Sequence, residues 1–363
     1  MSSLVLHEFH STLHARFIEV NGQEAVADYG DVLGEHSAVR ERAGILDLSF
    51  RSRLCLLGAD RQRFLNGQVT NDVKGLKTGQ GCYAALITAK GKMVSDLNIY
   101  LLEDEILLDF EPGLSGPVAQ RLEKYVIADD VQVVDVASAY GLLSVQGPKA
   151  AQIIIQLHMG TEPPTQSMHV ARWNDPSLGD IYVMNLARLG TNGFDLFAPS
   201  GSLVAIWERL MSAAKTSGGR PCGWDASEAA RLEAGIPRFG VDMDETNLAP
   251  EAGLDARAIS YSKGCYIGQE VIARIRTYGQ VAKALRGLRL AKELKTLPKK
   301  GDKLFKADKE VGYITSALAS PALEANLALG YVRRETNQIG TELTLRTSEG
   351  ESPARIVELP FAW

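Results

Sequence analysis

The sequence predicts an α+β chain of more than one domain, ending in a small β-barrel. Three observations lead there. The 363 residues exceed what one ordinary hydrophobic core serves. From Leu54 to Val136 the apolar spacing switches between a period of two and a helical period. After Tyr278 short apolar runs alternate with Gly, Pro, Lys and Asp turns, the texture of a small barrel.

In the first of these stretches LCLLG reads as a short apolar strand, and Asp60 can cap a short helix through Phe64. YAALIT is a further strand. LNIYLLEDEILLDF holds two apolar runs joined by the acidic tip Glu103–Glu105, a hairpin. Pro117 stands near the start of VAQRLEKYVI, helical by its spacing, and VQVVDV closes as a strand. Strand, helix, strands, helix, strand suggests a split β-α-β unit, ferredoxin-like in character.

A second mixed segment spans residues 140–221. LLSVQG leads into the helix KAAQIIIQL, and IYVMNLARLG and FDLFAP read as strands around the turn Thr191–Gly193. SLVAIWERLMSAA is an amphipathic helix. WDASEAARLEAGI gives a helix with Asp225 at its N-cap, Glu228 three positions on and Gly235 at its end. The strands ALRGLRL, KLFKA, VGYITSA, LALGYVR and TELTLRT then make the barrel, with the boundary at the bend around Gly279.

A hydrophobic fraction of 45%, a charged fraction of 23% and a net charge of -5 are those of a soluble globular protein and argue against general nucleic-acid binding. No apolar run approaches a membrane span, and the N-terminus lacks a secretory pattern. Cys55, Cys82, Cys222 and Cys265 are scattered with no CxxC, so no clustered metal site and a reducing cytoplasm are expected. His7, His10 and His14 have helical spacing; they either meet a metal or, as expected here, lie on a solvated helix.

GxGxxG, GxxxxGK[ST], GxSxG and HExxH are all missing. Asp96, where KGKMVSDLNIY enters a strand, is either a turn residue or a carboxylate aimed into a cleft. Arg188, read as ending its strand, either grips a carboxylate in bidentate fashion or is exposed. Asn66, Gln68 and Asn71 form an amide-rich loop, suited to a ligand or to turns. In KGCYIGQE, Gly264 and Gly268 allow close backbone approach and Lys263 favours a thiolate at Cys265. Tyr266 offers a stacking face, Gln269 an amide and Glu270 a carboxylate. Alternatively Cys265 is a small buried apolar residue.

These pieces together resemble the aminomethyltransferase (glycine-cleavage T-protein) superfamily over almost the whole chain. RLEAGIPRFGVDMDETNLAPEAGL, Gln146–Gly147 and VGYITSALASP with LALGYVR carry the likeness, and KGCYIGQE is similar to a motif of the YgfZ-type folate-binding proteins. The resemblance implies a three-domain ring: 1–50 with 138–224, a ferredoxin-like domain of 51–137 with 225–278, and a barrel of 279–363. It implies tetrahydrofolate, or a one-carbon-substituted folate, in the central opening. It further implies a role in assembly or repair of iron–sulfur proteins, with such client or assembly proteins as partners. Cys265 and Asp96 would be the reacting groups, and Asn66, Arg188, Lys263, Tyr266, Gln269, Glu270 and Arg274 would bind the folate. Asp96 aligns with the acidic residue that T-proteins hold near the reactive nitrogens. Ser95 replaces the aspartate before it, and RLGTNGFD lacks the glutamate that grips the pterin. The alternatives are folate-dependent aminomethyl transfer or demethylation, and an interaction module whose thiol is incidental.

Overall fold

The computed structural model describes residues 3–160, 162–279 and 281–361. They form two compact units, residues 1–84 with 96–230, and residues 85–95 with 231–363. Arg231 to Tyr278 therefore packs with the barrel, where the sequence reading had grouped it with the ferredoxin-like domain. Among the described residues no helix is long and apolar enough to cross a membrane.

The first unit opens with α1 (His7–Thr12), the hairpin of β1 (Arg16–Val20) and β2 (Gln23–Asp28), α2 (Val32–Glu41) and β3 (Gly44–Asp47). Next come β4 (Ser52–Leu57), α3 (Arg61–Gln68), β5 (Gln80–Ile87), β6 (Met93–Leu101), β7 (Ile106–Phe110), α4 (Ser115–Glu123) and β8 (Gln132–Asp135). Then follow β9 (Tyr140–Gln146), α5 (Ala150–Gln156), β10 (Val170–Asp175), β11 (Gly179–Asn185), β12 (Gly193–Pro199), α6 (Leu203–Ser217), β13 (Arg220–Pro221) and α7 (Trp224–Glu233).

Two sheets result. One has the order β10-β11-β12-β9-β3-β13, so a strand from the first fifty residues completes a sheet made mostly after residue 140. Its core is apolar, with Ile45, Val145, Ile153, Leu196 and Trp207 all buried. The other, β5-β6-β7-β4-β8, has the expected strand, helix, three strands, helix, strand order. Alternation sorts its two faces. Leu54, Leu56, Ile99 and Leu108 are fully buried, as are Val118 and Leu122 of α4, which packs on β4 and β8. Arg53, Asn98, Tyr100 and Asp109 occupy the alternate positions. Cys55, Tyr100 and Leu107 on that face pack with Leu142, Met184 and Phe197 of the first sheet.

The second unit contains the outer part of the β5–β6 hairpin, α8 (Asp255–Ala258), α9 (Gln269–Tyr278) and six strands. These are β14 (Lys283–Leu290), β15 (Lys303–Lys306), β16 (Lys309–Ser320), β17 (Ala325–Arg333), β18 (Glu342–Thr347) and β19 (Gly350–Val357). They close a barrel in the order β14-β17-β16-β15-β18-β19. The sixth strand, GESPARIV, escaped the sequence reading because its Pro353 and charged residues hide the alternation.

Several local expectations change. Asp60 makes no side-chain cap to α3; its Oδ2 accepts from Asp130 N–H at 3.0 Å instead. α7 begins one residue before Asp225, which pairs with Arg16. The histidines are not on a solvated helix: His10 is fully buried, with Nε2 3.0 Å from Asp47 Oδ2 and Nδ1 3.0 Å from the Tyr29 hydroxyl. His7 faces Glu24, and His14 lies outside α1 with φ 59°.

Candidate functional site

β6 carries Asp96, Asn98 and Tyr100 on one face, and β7 sets Asp109 opposite Asn98. Asp96 is partly buried, and its Oδ2 accepts from the Tyr83 hydroxyl at 2.8 Å. Two arginines fill the space beyond. Arg51 donates from Nε to Asp109 at 2.7 Å and from Nη1 to Glu111 at 2.6 Å. Arg188 donates from Nη2 to Asp109 at 2.5 Å and from Nε to Asp195 at 2.8 Å. Asn98 Nδ2 donates to Asp109 at 2.9 Å. The result is an alternating chain of charges, Asp195–Arg188–Asp109–Arg51–Glu111, with Asp96 beside its acidic end.

The electrostatics separate the carboxylates. Burial alone would raise Asp109, but Arg188 and Arg51 outweigh it and hold this carboxyl well below the usual range. Asp96 goes the other way. Burial, then the charge of Glu111, push it up to about 6, against the Tyr83 hydroxyl and Arg51. A carboxyl poised there can hold or release a proton near neutrality, which a group of ordinary pKa does poorly.

Arg188 thus follows the carboxylate reading rather than the exposed one. β11 ends at Asn185, and the guanidinium does grip carboxylates, but they are the protein's own Asp109 and Asp195. Its backbone N–H donates to Gln146 Oε1 at 2.9 Å, while Gln146 Nε2 reaches Ser144 Oγ and Leu186 O. A Cβ at Gly193 would lie 2.2 Å from that Oε1, so a larger residue there would push the Gln146 amide out of these bonds. Asn66 belongs to α3, not to a loop. It is buried, with Oδ1 accepting from the N–H groups of Val73 and Lys74 at 3.0 and 3.1 Å. The amides of FLNGQVTND shape the chain there, Asn71 Nδ2 donating to Tyr83 O at 2.8 Å.

In the second unit, KGCYIGQE forms the turn into α9. Gly268 is the residue before the helix, with φ 84°, and a Cβ there would stand 2.4 Å from Thr88 O on the β5–β6 turn. Met93 N–H donates to Asn247 O at 3.1 Å, fixing the same hairpin. Cys265 is exposed, so the buried apolar reading does not hold; Cys55 and Cys222 are buried and Cys82 intermediate. Lys263 is buried, with its Nζ 5.0 Å from the Tyr266 ring centroid. Tyr266 is itself buried, which raises its phenol to about 12. Gln269 and Glu270 open the helix, where a carboxylate meets the positive end of the dipole. Glu270 pairs with Arg274 across one exposed turn, an arrangement of little net worth. Among the described residues no group of three or more His, Cys, Asp or Glu is placed to hold a metal.

Sequence reasoning found Asp96 and missed Arg51, Tyr83, Asp109, Glu111 and Asp195. One signal was present: ILLDF puts an aspartate inside an otherwise apolar strand, and a charge buried so deeply implies a partner.

The description GCVT N-terminal domain matches residues 6–263, and Glycine cleavage T-protein C-terminal barrel domain matches residues 283–362. An aminomethyltransferase of Rubrobacter xylanophilus is 30% identical over 358 residues, covering 98% of this chain and 93% of the relative. One of Halalkalibacterium halodurans is 29% identical over 361 residues, covering 98% and 96%. The crystal structure of glycine cleavage system aminomethyltransferase T from Bartonella henselae superposes with a TM-score of 0.89 at 24% identity, covering 99% of this chain and 98% of that one. That likeness is one of fold.

Proposed function

The chain belongs to the glycine cleavage T-protein family, and from that premise we propose a tetrahydrofolate-dependent one-carbon (aminomethyl) transferase in which Asp96 is the acid–base group. The observation that carries this reading is the partly buried Asp96–Tyr83 pair with its carboxyl at about 6. The relatives named aminomethyltransferase, matched over nearly their full length, support the reaction class. The three-domain ring that the resemblance implied is part of the same proposal.

The donor set suits a reduced folate at its pterin end. A carboxylate accepts from the N–H edge of a pterin or an amine, and its acid form donates back. It gives little support to Arg188 as the cation of the glutamyl tail, since its Nε and Nη2 are committed to Asp195 and Asp109. Arg274, on an exposed surface, remains chemically able to exchange Glu270 for another carboxylate. Bound tetrahydrofolate would supply the nucleophilic nitrogens that receive the one-carbon unit. Asp96 would orient the amine and, as carboxylate, stabilise positive charge developing beside it; as acid it would return a proton. Tyr83 holds the carboxyl's rotamer through Oδ2. Formation of methylene-tetrahydrofolate from a protein-bound aminomethyl donor tests the proposal. Asp96→Asn should lower kcat by about 10²-fold or more while tetrahydrofolate still raises the melting temperature. Full activity in that variant would overturn the assignment.

A second reading rests on Cys265, the exposed one of the four cysteines, held in a motif similar to that of the YgfZ-type proteins. There the chain would bind folate and support iron–sulfur protein assembly or repair through a thiol that engages a partner. Loss of iron–sulfur enzyme activity in cells carrying Cys265→Ala, with aminomethyl transfer intact, would favour it.

A further inference from the structure

Arg51, which precedes β4, links Asp109 to Glu111 in the alternating chain of charges whose Glu111 end acts on Asp96. Its guanidinium lies between two buried carboxylates, Asp109 at 2.7 Å and Glu111 at 2.6 Å. Its backbone is pinned by a neighbour: fully buried Arg53 donates to the carbonyl oxygens of Arg51, Ser49 and Ala137, each at 2.9 Å. A guanidinium fixed at both backbone and head is a preorganised charge, unable to follow its partners when their protonation changes.

We propose that Arg51 is a positioning residue that sets the protonation of Asp96 by neutralising the Asp109–Glu111 end of the chain. The inference rests on the acid–base reading of Asp96 given above. The groups acting on Asp96 come from several elements: Tyr83 from β5, Glu111 just beyond β7 and Arg51 before β4. Arg188 and Asp195, on the turn and strand after β11, lie farther along. Asp109, Glu111 and Asp195 meet the guanidinium groups of Arg51 and Arg188, while Arg53 donates to the carbonyl oxygens of Arg51, Ser49 and Ala137 and feels the charge of Asp109. With Arg51 in place, Asp109 is shared by two cations and Glu111 is paired, so the field at Asp96 is moderate. Without it, Glu111 loses this cation, its charge acts more strongly on Asp96, and the proton on Asp96 is held to higher pH. The carboxyl then remains an acid when the reaction needs a carboxylate. Arg51 acts on Asp96 through its pairs with Asp109 and Glu111.

The experiment is a carboxyl NMR titration of Asp96 in the full chain without ligand, a readout that a merely structural role would not move. Arg51→Gln should raise the proton affinity of Asp96 about tenfold or more, and Arg51→Lys should recover most of the wild-type midpoint. Glu111→Gln should shift it the opposite way, and this variant keeps the test sharp if Arg51→Gln does not fold. An unmoved midpoint in folded Arg51→Gln, or in Glu111→Gln where the first variant fails to fold, overturns the inference. Tetrahydrofolate melting shifts on the same samples separate it from the functional reading. A moved midpoint without folate binding removes the transferase proposal and keeps the electrostatic role; folate binding with an unmoved midpoint does the reverse.

Discussion

Asp96 is a residue whose fold environment opposes its ordinary state, and that has a consequence for stability. Its folded pKa of about 6 lies above the unfolded carboxylate value, so the folded state binds the proton more tightly. The stabilisation is fully present below about pH 4 and is lost as pH rises through about 6. At neutral pH the ionised group therefore costs the fold on the order of 1–3 kcal/mol. Asp96→Asn, which cannot ionise, should melt higher than the wild type at pH 8, with that advantage vanishing towards pH 4. Calorimetry across that range checks it, and a difference independent of pH would refute the assignment. A catalytic group that destabilises its own fold is the expected bargain at a functional site. Asp96 could be singled out in the sequence because a carboxylate at a strand entrance is unusual. Its environment could not, because Arg51, Asp109 and Glu111 reach it only through strand pairing and turns. His10 shows the same limit: its partner Asp47 is thirty-seven positions away, so spacing alone placed it on the wrong, solvated side.

At the scale of elements, alternation and helical spacing were legible wherever one side of a segment faces a core. The hairpin of β6 and β7, the helices α4 and α6 and five barrel strands follow directly from their apolar periods. β19 did not, because its burial alternates only weakly around Pro353. Glycines were legible as needed but not as fixed in any role. KGCYIGQE supplies the contrast. Gly268 has φ 84° and no room for a Cβ against Thr88 O, whereas a Cβ at Gly264 meets nothing within 4 Å. Gly268→Ala must both adopt a left-handed backbone and displace the β5–β6 turn, which should cost about 1–3 kcal/mol. Gly264→Ala should change stability by no more than about 0.5 kcal/mol. Thermal or denaturant unfolding of the two variants side by side tests this. Equal effects would mean that the turn into α9 is not set by close packing at Gly268.

For the whole molecule, the question is whether one chain carries one chemistry or two. The first unit holds Asp96 beside a network of Tyr83, Arg51, Asp109, Glu111, Arg188 and Asp195, the site proposed to handle the proton. The second unit presents Cys265 on an exposed turn, where the thiol has no packing role to lose. Family membership covers both units, so it cannot apportion function between them; physical independence can. Cys265→Ser should leave the melting temperature within about 0.5 kcal/mol of the wild type. It should also leave the tetrahydrofolate-induced melting shift and the aminomethyl-transfer rate unchanged, because nothing that sets the charge on Asp96 has been touched. Asp96→Asn should remove transfer and leave the reactivity of Cys265 towards a thiol reagent as it was. Crossing both variants with both assays gives a two-by-two result. Independence means that the transferase chemistry belongs to the carboxylate and that any partner engaged by Cys265 is an addition to it. A loss of transfer in folded Cys265→Ser would instead place the thiol within the reaction, and the proposed division of labour would fall.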